Sequence, residues 1–421
     1  MRRAFHDLKR MVALFGVCST FPSLAEVSLP IVGWGAFPHR IASAERYREA
    51  KDAGFTYLTQ WCDSPDNVGR LLSEADKAGV KLIIGIKEDV RKMMDLAEAF
   101  TAAAKDSPAL GYYYIADEPH IREAEAIRDC VNRYAALDPA HSCYVNLYGA
   151  VCDLWNRRDE ELQRKLTGCA TYAEYIHRFY DMVPLKMISF DTYPVLSFKP
   201  LADSSLRLHG ERVFLRERWY ETLETTSSFA RERKIPMFAF ALATAHRHYP
   251  GHHYPAPTMA HLRLQHYSNL AYGAQTLQYF RCVNRSSLVY DRVREMNKEL
   301  QARAYVFAGC EVVDVSHTGI DVPIGTKRLK KESLPPFVKS FSVPNGGTAV
   351  VSWLKTGERE YLVIVNRDPN DDMTFNAKFA DGVEIVRRDG SRAKASTYSD
   401  TFWLDPGDTV IFAAPSKPHN L

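Results

Sequence analysis

The apolar residues in the first 315 positions follow two alternating periodicities. Short runs rich in β-branched and aromatic residues predict eight β-strands. These runs span residues 28–37, 55–62, 80–87, 110–119, 142–148, 186–195, 235–245 and 275–283. Between them, apolar residues recur every three or four positions, as in "SAERYREAKDAG", which predicts amphipathic helices ending near glycine. Eight strand–helix units predict a (β/α)8 barrel over residues 26–315.

An open, doubly wound sheet is the structural alternative to the barrel. The strands are nearly continuous in apolar residues at their starts and turn polar or aromatic at their ends, as expected of parallel strands covered on both faces. The segment after the first strand, "GWGAFPHR", lacks the glycine-rich turn that holds a dinucleotide phosphate. This favours the barrel, and no cofactor is expected.

The pattern changes in residues 316–421. Segments such as "GTAVVSWLKTGEREYLVIVNRD" and "FWLDPGDTVIFAAP" alternate apolar and polar residues and are joined by Gly, Asp and Asn turns. No helical period is present there. This part of the chain is predicted to form a small antiparallel β-sandwich domain.

The first 25 residues have the order of a secretory signal peptide. Basic residues come first, followed by an apolar run over residues 11–21 and then "SLA", with the expected cut after Ala25. The apolar run is too short to span a bilayer. Lipidation of Cys18 is the alternative, although Val17 is larger than the small residue such a site requires. The mature chain is expected to be exported, to the periplasm, the cell surface or the medium.

Charge and cysteine content restrict the classes of partner. The signal segment carries four of the 54 Lys and Arg and one of the 51 Asp and Glu, which leaves 50 residues of each sign. A neutral chain gives no reason to expect nucleic acid, or a membrane beyond a lipid anchor, as partner. Seven cysteines remain without metal-site spacing, so buried free thiols with at most one disulfide are favoured.

The ends of the predicted strands carry the polar and aromatic residues that could form one site, because the carboxyl ends of barrel strands meet at the active face. Aromatic faces mixed with amides and carboxylates suit a carbohydrate. The predicted substrate contacts are Trp34, Gln60, Trp61, Asn146, Tyr148, Tyr193, His246, Tyr279 and Arg281. The histidines of "HRHYPGHHY" (residues 246–254) could converge on a metal, but a polar loop beside the substrate is favoured, and no metal site is predicted.

Three carboxylates are the catalytic candidates. Glu118, in "GYYYIADEPH", is the expected general acid, because the neighbouring charge of Asp117 and a Tyr-rich site would raise its pKa. The competing interpretation is an ordinary helix N-terminus, where acids and proline are common. Asp191, in "ISFDTYPV", is the preferred partner because it ends an apolar strand across the pocket; the alternative is an Asp that caps the following turn or orients Tyr193. Asp117 is a third candidate.

The segments "GYYYIADEP", "ISFDTYPV", "FALATAH" and "LRLQHYSNLAYGAQTLQYF", followed by "YLVIVNRD" and "LDPGDTVIF", resemble those of (β/α)8 glycoside hydrolases of clan A. The resemblance is greatest to the family 42-like, β-galactosidase-like proteins of gut Bacteroidetes. It implies hydrolysis of a poly- or oligosaccharide, with Glu118 as acid/base. It also implies a nucleophilic Glu after the seventh strand, where "MFAFALATAH" has none.

Three hypotheses remain open because of that missing residue. Glu118 and Asp191 could form the working pair, retaining or inverting according to their separation. Asp117 and Glu118 could instead resemble the adjacent pair of β-hexosaminidases, in which the acetamido group of the substrate attacks. The third hypothesis is a barrel that binds glycan without cleaving it.

Overall fold

The computed structural model describes residues 27–87, 89–151, 158–197, 212–249, 252–281, 284–395 and 399–415. For residues 246–249, 252 and 415 it describes the backbone alone. The predicted signal peptide, including Cys18, lies outside the described residues. Within them, no helix has both the length and the apolar character required to cross a membrane.

Eight parallel strands close into a barrel, which confirms the predicted fold. The strands are β1 (Ile31–Trp34), β2 (Tyr57–Trp61), β3 (Lys81–Gly85), β4 (Leu110–Asp117), β5 (Ser142–Tyr148), β6 (Ile188–Asp191), β7 (Met237–Leu242) and β8 (Thr276–Phe280). Each strand pairs with its neighbours in sequence order, and the ring closes where Ile31 of β1 lies opposite Leu277 of β8. All strand ends therefore point to the same mouth of the barrel.

Helices surround the barrel. They are α1 (Ala44–Asp52), α2 (Val68–Ala78), α3 (Val90–Asp95), α4 (Ala97–Ala104), α5 (Ala124–Leu137), α6 (Asp159–Thr167), α7 (Tyr172–Met182), α8 (Trp219–Arg233), α9 (Met259–Ala271), α10 (Tyr290–Ala302) and α11 (Ala304–Phe307). Helix α2 has the predicted amphipathic pattern, because Leu71, Leu72 and Ala75 are buried on one face. It ends at Gly79, whose φ of 70° is the left-handed conformation that glycine adopts without strain.

The interior of the barrel is packed mainly with aromatic rings. The Trp34 ring centroid lies 5.7 Å from Tyr114, 5.9 Å from Tyr144 and 5.4 Å from Phe240. Edge-on and tilted contacts of this kind stabilise a core beyond the area they bury. The barrel is therefore filled below its mouth, and a substrate can reach only the upper ends of the strands.

The second domain is a sandwich of two antiparallel sheets. Its strands are β9 (Glu311–His317), β10 (Val338–Ser342), β11 (Ala349–Thr356), β12 (Arg359–Asn366), β13 (Met373–Phe379), β14 (Glu384–Val386), β15 (Arg392–Lys394), β16 (Thr401–Leu404) and β17 (Thr409–Pro415). One sheet has the order β9-β11-β12-β17-β14-β15 and the other β10-β13-β16. Phe375 and Phe412 are buried in the cluster between them, which agrees with the predicted sandwich.

The architecture changes slightly earlier than the sequence predicted. The proposed boundary at residue 315 falls inside β9, which pairs with β11 of the sandwich. The change therefore lies between Phe307, where α11 ends, and Glu311, where β9 begins. The two domains pack directly: Ser352 Oγ donates a hydrogen bond to the carbonyl of Ala271 in α9 at 2.7 Å.

The described cysteines are free thiols. They are Cys62, Cys130, Cys143, Cys169 and Cys310, of which the first four are buried. Cys152 and Cys282 lie outside the described residues. The structure agrees with the favoured interpretation of buried thiols for the five that it describes.

Candidate active site

The end of strand β4 carries Glu118 in an unusual backbone conformation. The pairing of β4 with β5 shifts register between Tyr114 and Ala116, and Glu118 itself has a φ of 46°. Its backbone N–H donates to the carbonyl of Asn146 on β5 at 2.8 Å. A non-glycine residue with positive φ is uncommon and costs about 1–3 kcal/mol. Strict alternation along a strand would place the side chains of Asp117 and Glu118 on opposite faces. The left-handed backbone conformation of Glu118 interrupts that alternation.

Asp117 is held by a network of side-chain hydrogen bonds that crosses the interior of the barrel. Asn146 Nδ2 donates to Asp117 Oδ1 at 3.0 Å, and Ser189 Oγ donates to Asn146 Oδ1 at 2.8 Å. Gln278 on β8 donates to the same Ser189 hydroxyl at 2.8 Å. Strands β4, β5, β6 and β8 therefore contribute to one hydrogen-bonded layer that orients Asp117.

Glu118 and Asp191 hydrogen-bond to each other through their carboxyl groups. Two carboxylates can do this only if one holds a proton, because an ionised carboxylate is an acceptor alone. Asp191 Oδ2 accepts a hydrogen bond from the Tyr193 hydroxyl at 3.0 Å, and Asp191 Oδ1 is buried. Asp117, Glu118 and Asp191 form what we call the carboxylate cluster.

The electrostatics of the carboxylate cluster keep that proton on the Glu118 side at neutral pH. Burial raises the pKa of Glu118, and the charges of Asp191 and Asp117 raise it further, while a hydrogen bond from Tyr148 opposes the shift. Burial also raises the pKa of Asp191, and hydrogen bonds from Glu118, Tyr193 and Asn146 oppose this. Asp191 is therefore the group that retains charge, and Glu118 the group that retains the proton.

Arg216 and Tyr254, which the sequence did not single out, lie near Asp191 and Tyr193. The positive charge of Arg216 lowers the pKa of Asp191, and Arg216 also donates to the Tyr254 hydroxyl at 2.7 Å. The Tyr254 ring lies 5.7 Å from that of Tyr193. Arg216 lies in the long connection after β6, where no periodicity marks a residue as facing the pocket.

The structure corrects two predicted substrate contacts. Gln60 is buried and accepts a hydrogen bond from the Tyr47 hydroxyl of α1 at 2.8 Å, so it points toward the helices. Tyr279 is also buried, and its hydroxyl donates to Asn297 of α10 at 2.8 Å. Side chains alternate along a strand, so the inward positions belong to their neighbours Trp61 and Phe280.

Six of the other predicted contacts divide into three groups by their position. Asn146, Tyr148 and Tyr193 touch the carboxylate cluster directly. Trp34 is 5% exposed and packs inside the barrel, so it supports the site from below, while Trp61 and Arg281 border a neighbouring cavity.

The histidine-rich segment forms a hairpin. Residues His246–Tyr249 pair with His252–Tyr254, where the sequence predicted a loop. The side chain of His246 lies outside the described part of the structure, so its predicted contact stays a prediction. Among the described residues, no group of three His, Cys, Asp or Glu side chains could hold a metal ion.

Comparisons with solved structures find the same fold in glycoside hydrolases. A family 39 glycoside hydrolase from the gut symbiont Bacteroides cellulosilyticus WH2 is 10% identical, with a TM-score of 0.50 over 92% of this chain and 81% of that one. A GH30 endoxylanase from Clostridium papyrosolvens C71 is 8% identical, with a TM-score of 0.44 over 93% and 98%. These similarities concern the fold alone. No protein-family model matches the chain, and no curated relative matches its sequence.

Proposed function

We propose that the protein is a glycoside hydrolase in which Glu118 is the general acid. The observation that carries this proposal is the hydrogen-bonded pair of Glu118 and Asp191 at the mouth of an aromatic-lined barrel. Cleavage of a glycosidic bond requires a proton donor for the leaving oxygen, and a carboxyl that stays protonated at neutral pH is such a donor. The aromatic lining suits the CH-rich face of a sugar.

We assign Asp191 as the residue that positions Glu118. Two-carboxylate hydrolases separate their carboxyl groups by about 5 Å when they retain configuration and by about 6.5–9.5 Å when they invert it. The carboxyl groups of Glu118 and Asp191 instead interact directly with each other. Asp191 therefore holds the Glu118 proton in place, and its own negative charge stabilises the cationic sugar that develops as the proton leaves.

A second mechanism is favoured by the position of Asp117. Asp117 lies close enough to Glu118 for its charge to raise the pKa of the Glu118 carboxyl, and Asn146 fixes the orientation of Asp117. This is the geometry that substrate assistance would need, with Asp117 orienting an acetamido group and Glu118 donating the proton. It accounts for a chain that has no carboxylate after β7, where Ala243, Thr244 and Ala245 follow the strand.

The resemblance to family 42-like proteins and the signal-like N-terminus add two finer proposals. We propose β-galactosides as the first substrates to test, and export as the fate of the mature chain. The support for both is the sequence pattern.

The test is turnover of a panel of plain and N-acetylated aryl glycosides by the wild type and by Glu118→Gln. We expect Glu118→Gln to lower kcat/KM about 10²–10⁴-fold on substrates with poor leaving groups and much less on activated ones, because activated groups need little acid. Activity on N-acetylhexosaminides alone would select the substrate-assisted mechanism. Equal losses for all leaving groups would reject Glu118 as the acid, and no turnover across the panel would favour glycan binding without cleavage.

A further inference from the structure

Beside the carboxylate cluster lies a second cavity, of about 440 Å³, at the ends of β1, β2, β3 and β8. We call it the basic pocket, and its lining includes Trp61, Lys87, Lys92, Arg281, His39 and Asp63. Its volume is within the range of small-ligand sites. Trp61 and Arg281 are among the predicted substrate contacts, but the sequence pattern gives no reason to expect a cluster of positive charge there.

Positive charge dominates this pocket. Lys87 Nζ lies 5.2 Å from the Trp61 ring centroid, and Lys92 Nζ donates to the backbone carbonyl of Asp63 at 2.9 Å. Among the described lining residues, Asp63 is the one carboxylate, and its Oδ2 lies 3.0 Å from His39 Nε2. Lys87, Lys92 and Arg281 therefore line the pocket together with one described carboxylate, Asp63, which pairs with His39. A cleft lined by one sign of charge concentrates ligands of the other sign.

Two aromatic contacts connect the basic pocket with the strands that carry the carboxylate cluster. The Trp61 ring lies 6.1 Å from that of Tyr114, four residues before Glu118. Phe280, next to Arg281, lies 5.3 Å from the Tyr193 ring, whose hydroxyl donates to Asp191. A chain of sugar rings at the barrel mouth could therefore occupy both regions at once.

The Trp61 ring is fixed in position by its neighbours and is partly exposed in the basic pocket. It packs against Gly35, where an added Cβ would lie 3.0 Å from the ring and where the φ of 62° is a conformation that favours glycine. The indole Nε1 of Trp61 is buried with no hydrogen-bond partner, which leaves the ring fixed by packing. One sugar ring can stack on Trp61 while its charged substituent meets Lys87 and Arg281.

We propose that the protein acts on an anionic glycan, and that the basic pocket is the subsite for the sugar that carries a carboxylate or sulfate. This inference rests on the proposed function in taking the ligand to be a glycan. Opposite charges in the two regions would orient the substrate, since its anion is repelled by the carboxylate cluster and attracted by Lys87, Lys92 and Arg281. The neutral glycosidic oxygen is then left facing Glu118.

The experiment is calorimetric titration of the full-length Glu118→Gln variant, which separates binding from turnover. The ligands are tetragalacturonate for the carboxylate arm, a κ-carrageenan tetrasaccharide for the sulfate arm, and cellotetraose and galactotetraose as neutral comparisons. We expect one of the anionic ligands to bind at least about tenfold more tightly than either neutral one, and to weaken as salt is added. Whichever anionic ligand binds identifies the charged group.

Side-chain variants assign the effect to the pocket. Lys87→Gln and Arg281→Gln, each in the Glu118→Gln background, should weaken binding of the anionic ligand about tenfold, as expected for the loss of one charge-assisted contact. Lys105→Gln is the matched control, because Lys105 is exposed at the end of α4, near the start of β4 and away from the barrel mouth. It should leave the affinity unchanged.

Three outcomes would overturn the inference: no binding of either anionic ligand at millimolar concentration, equal or tighter binding of the neutral ligands, or unchanged affinity in both pocket variants. Failure of the proposed function is recognised separately. If the wild type cleaves no glycan while the anionic preference and the variant effects hold, the hydrolase proposal fails and the subsite stands. If the wild type cleaves neutral glycans and both pocket variants bind as before, the subsite fails and the hydrolase stands.

Discussion

Glu299 and Glu118 are two acidic side chains with contrasting surroundings: hydrogen-bond donors surround the first, and carboxylates face the second. Glu299, on α10, is 7% exposed and accepts hydrogen bonds from Arg263 at 2.9 Å and from the Tyr267 hydroxyl at 2.9 Å, with Arg303 at 3.5 Å. Glu118 instead faces Asp117 and Asp191, and its pKa is raised. The first arrangement compensates a buried charge, whereas the second brings like charges together and retains a proton.

The two arrangements have opposite effects on the stability of the fold. Glu299 joins the barrel to the sandwich, because Arg303 also donates to the carbonyl of Arg387 at 3.0 Å. Removing one member of such a buried group leaves the others uncompensated. The carboxylate cluster has a positive φ at Glu118 and mutual repulsion, both of which cost stability. Groups with strongly shifted pKa values in a cleft are characteristic of catalytic sites.

The largest effect should come from Glu299→Gln. It leaves buried Arg303 without its carboxylate partner and leaves partly buried Arg263 with only Asp408, at 3.9 Å, so we expect the free energy of unfolding to fall by about 3 kcal/mol. Urea unfolding followed by circular dichroism measures the change. Glu98→Gln is the matched control, because Glu98 pairs with Arg133 while 73% exposed, and its loss should be close to zero. Similar small losses in both variants would contradict the structural role of Glu299.

A smaller effect should appear in the pH dependence of the carboxylate cluster. The alkaline limb of kcat/KM reports loss of the Glu118 proton. Asp191→Asn removes a neighbouring negative charge, so the pKa of Glu118 falls and the limb moves to lower pH by about 1–2 units. Tyr148→Phe removes a donor to the Glu118 carboxylate, so the limb moves slightly to higher pH. Shifts in the same direction would contradict the assigned roles.

The sequence was sufficient for the barrel and for the strands that carry the acids. Periodicity placed Glu118 and Asp191 at strand ends because the apolar runs before them are long and regular. It could not decide between Gln60 and Trp61, since adjacent strand residues face opposite sides and a shift of one position exchanges them. That uncertainty also misplaced Tyr279.

Contacts made by irregular backbone were beyond sequence reasoning. The bend at Glu118 follows a register shift between β4 and β5, and no pattern of residues in the sequence predicts such a shift. The direct contact of Glu118 with Asp191 depends on distances across the barrel mouth. Arg216 reaches Tyr254 from an irregular connection. These features determine the chemistry of the site, and each needs the three-dimensional arrangement.

The most direct test of the central claim is whether Glu118 is protonated at neutral pH. Infrared difference spectroscopy of the wild type against Glu118→Gln detects a protonated carboxyl by its C=O stretch, which is distinct from that of a carboxylate. We predict that the wild type shows this band at neutral pH, that Glu118→Gln abolishes it, and that Glu98→Gln leaves it unchanged. A wild-type spectrum in which Glu118→Gln removes only a carboxylate band would contradict the account.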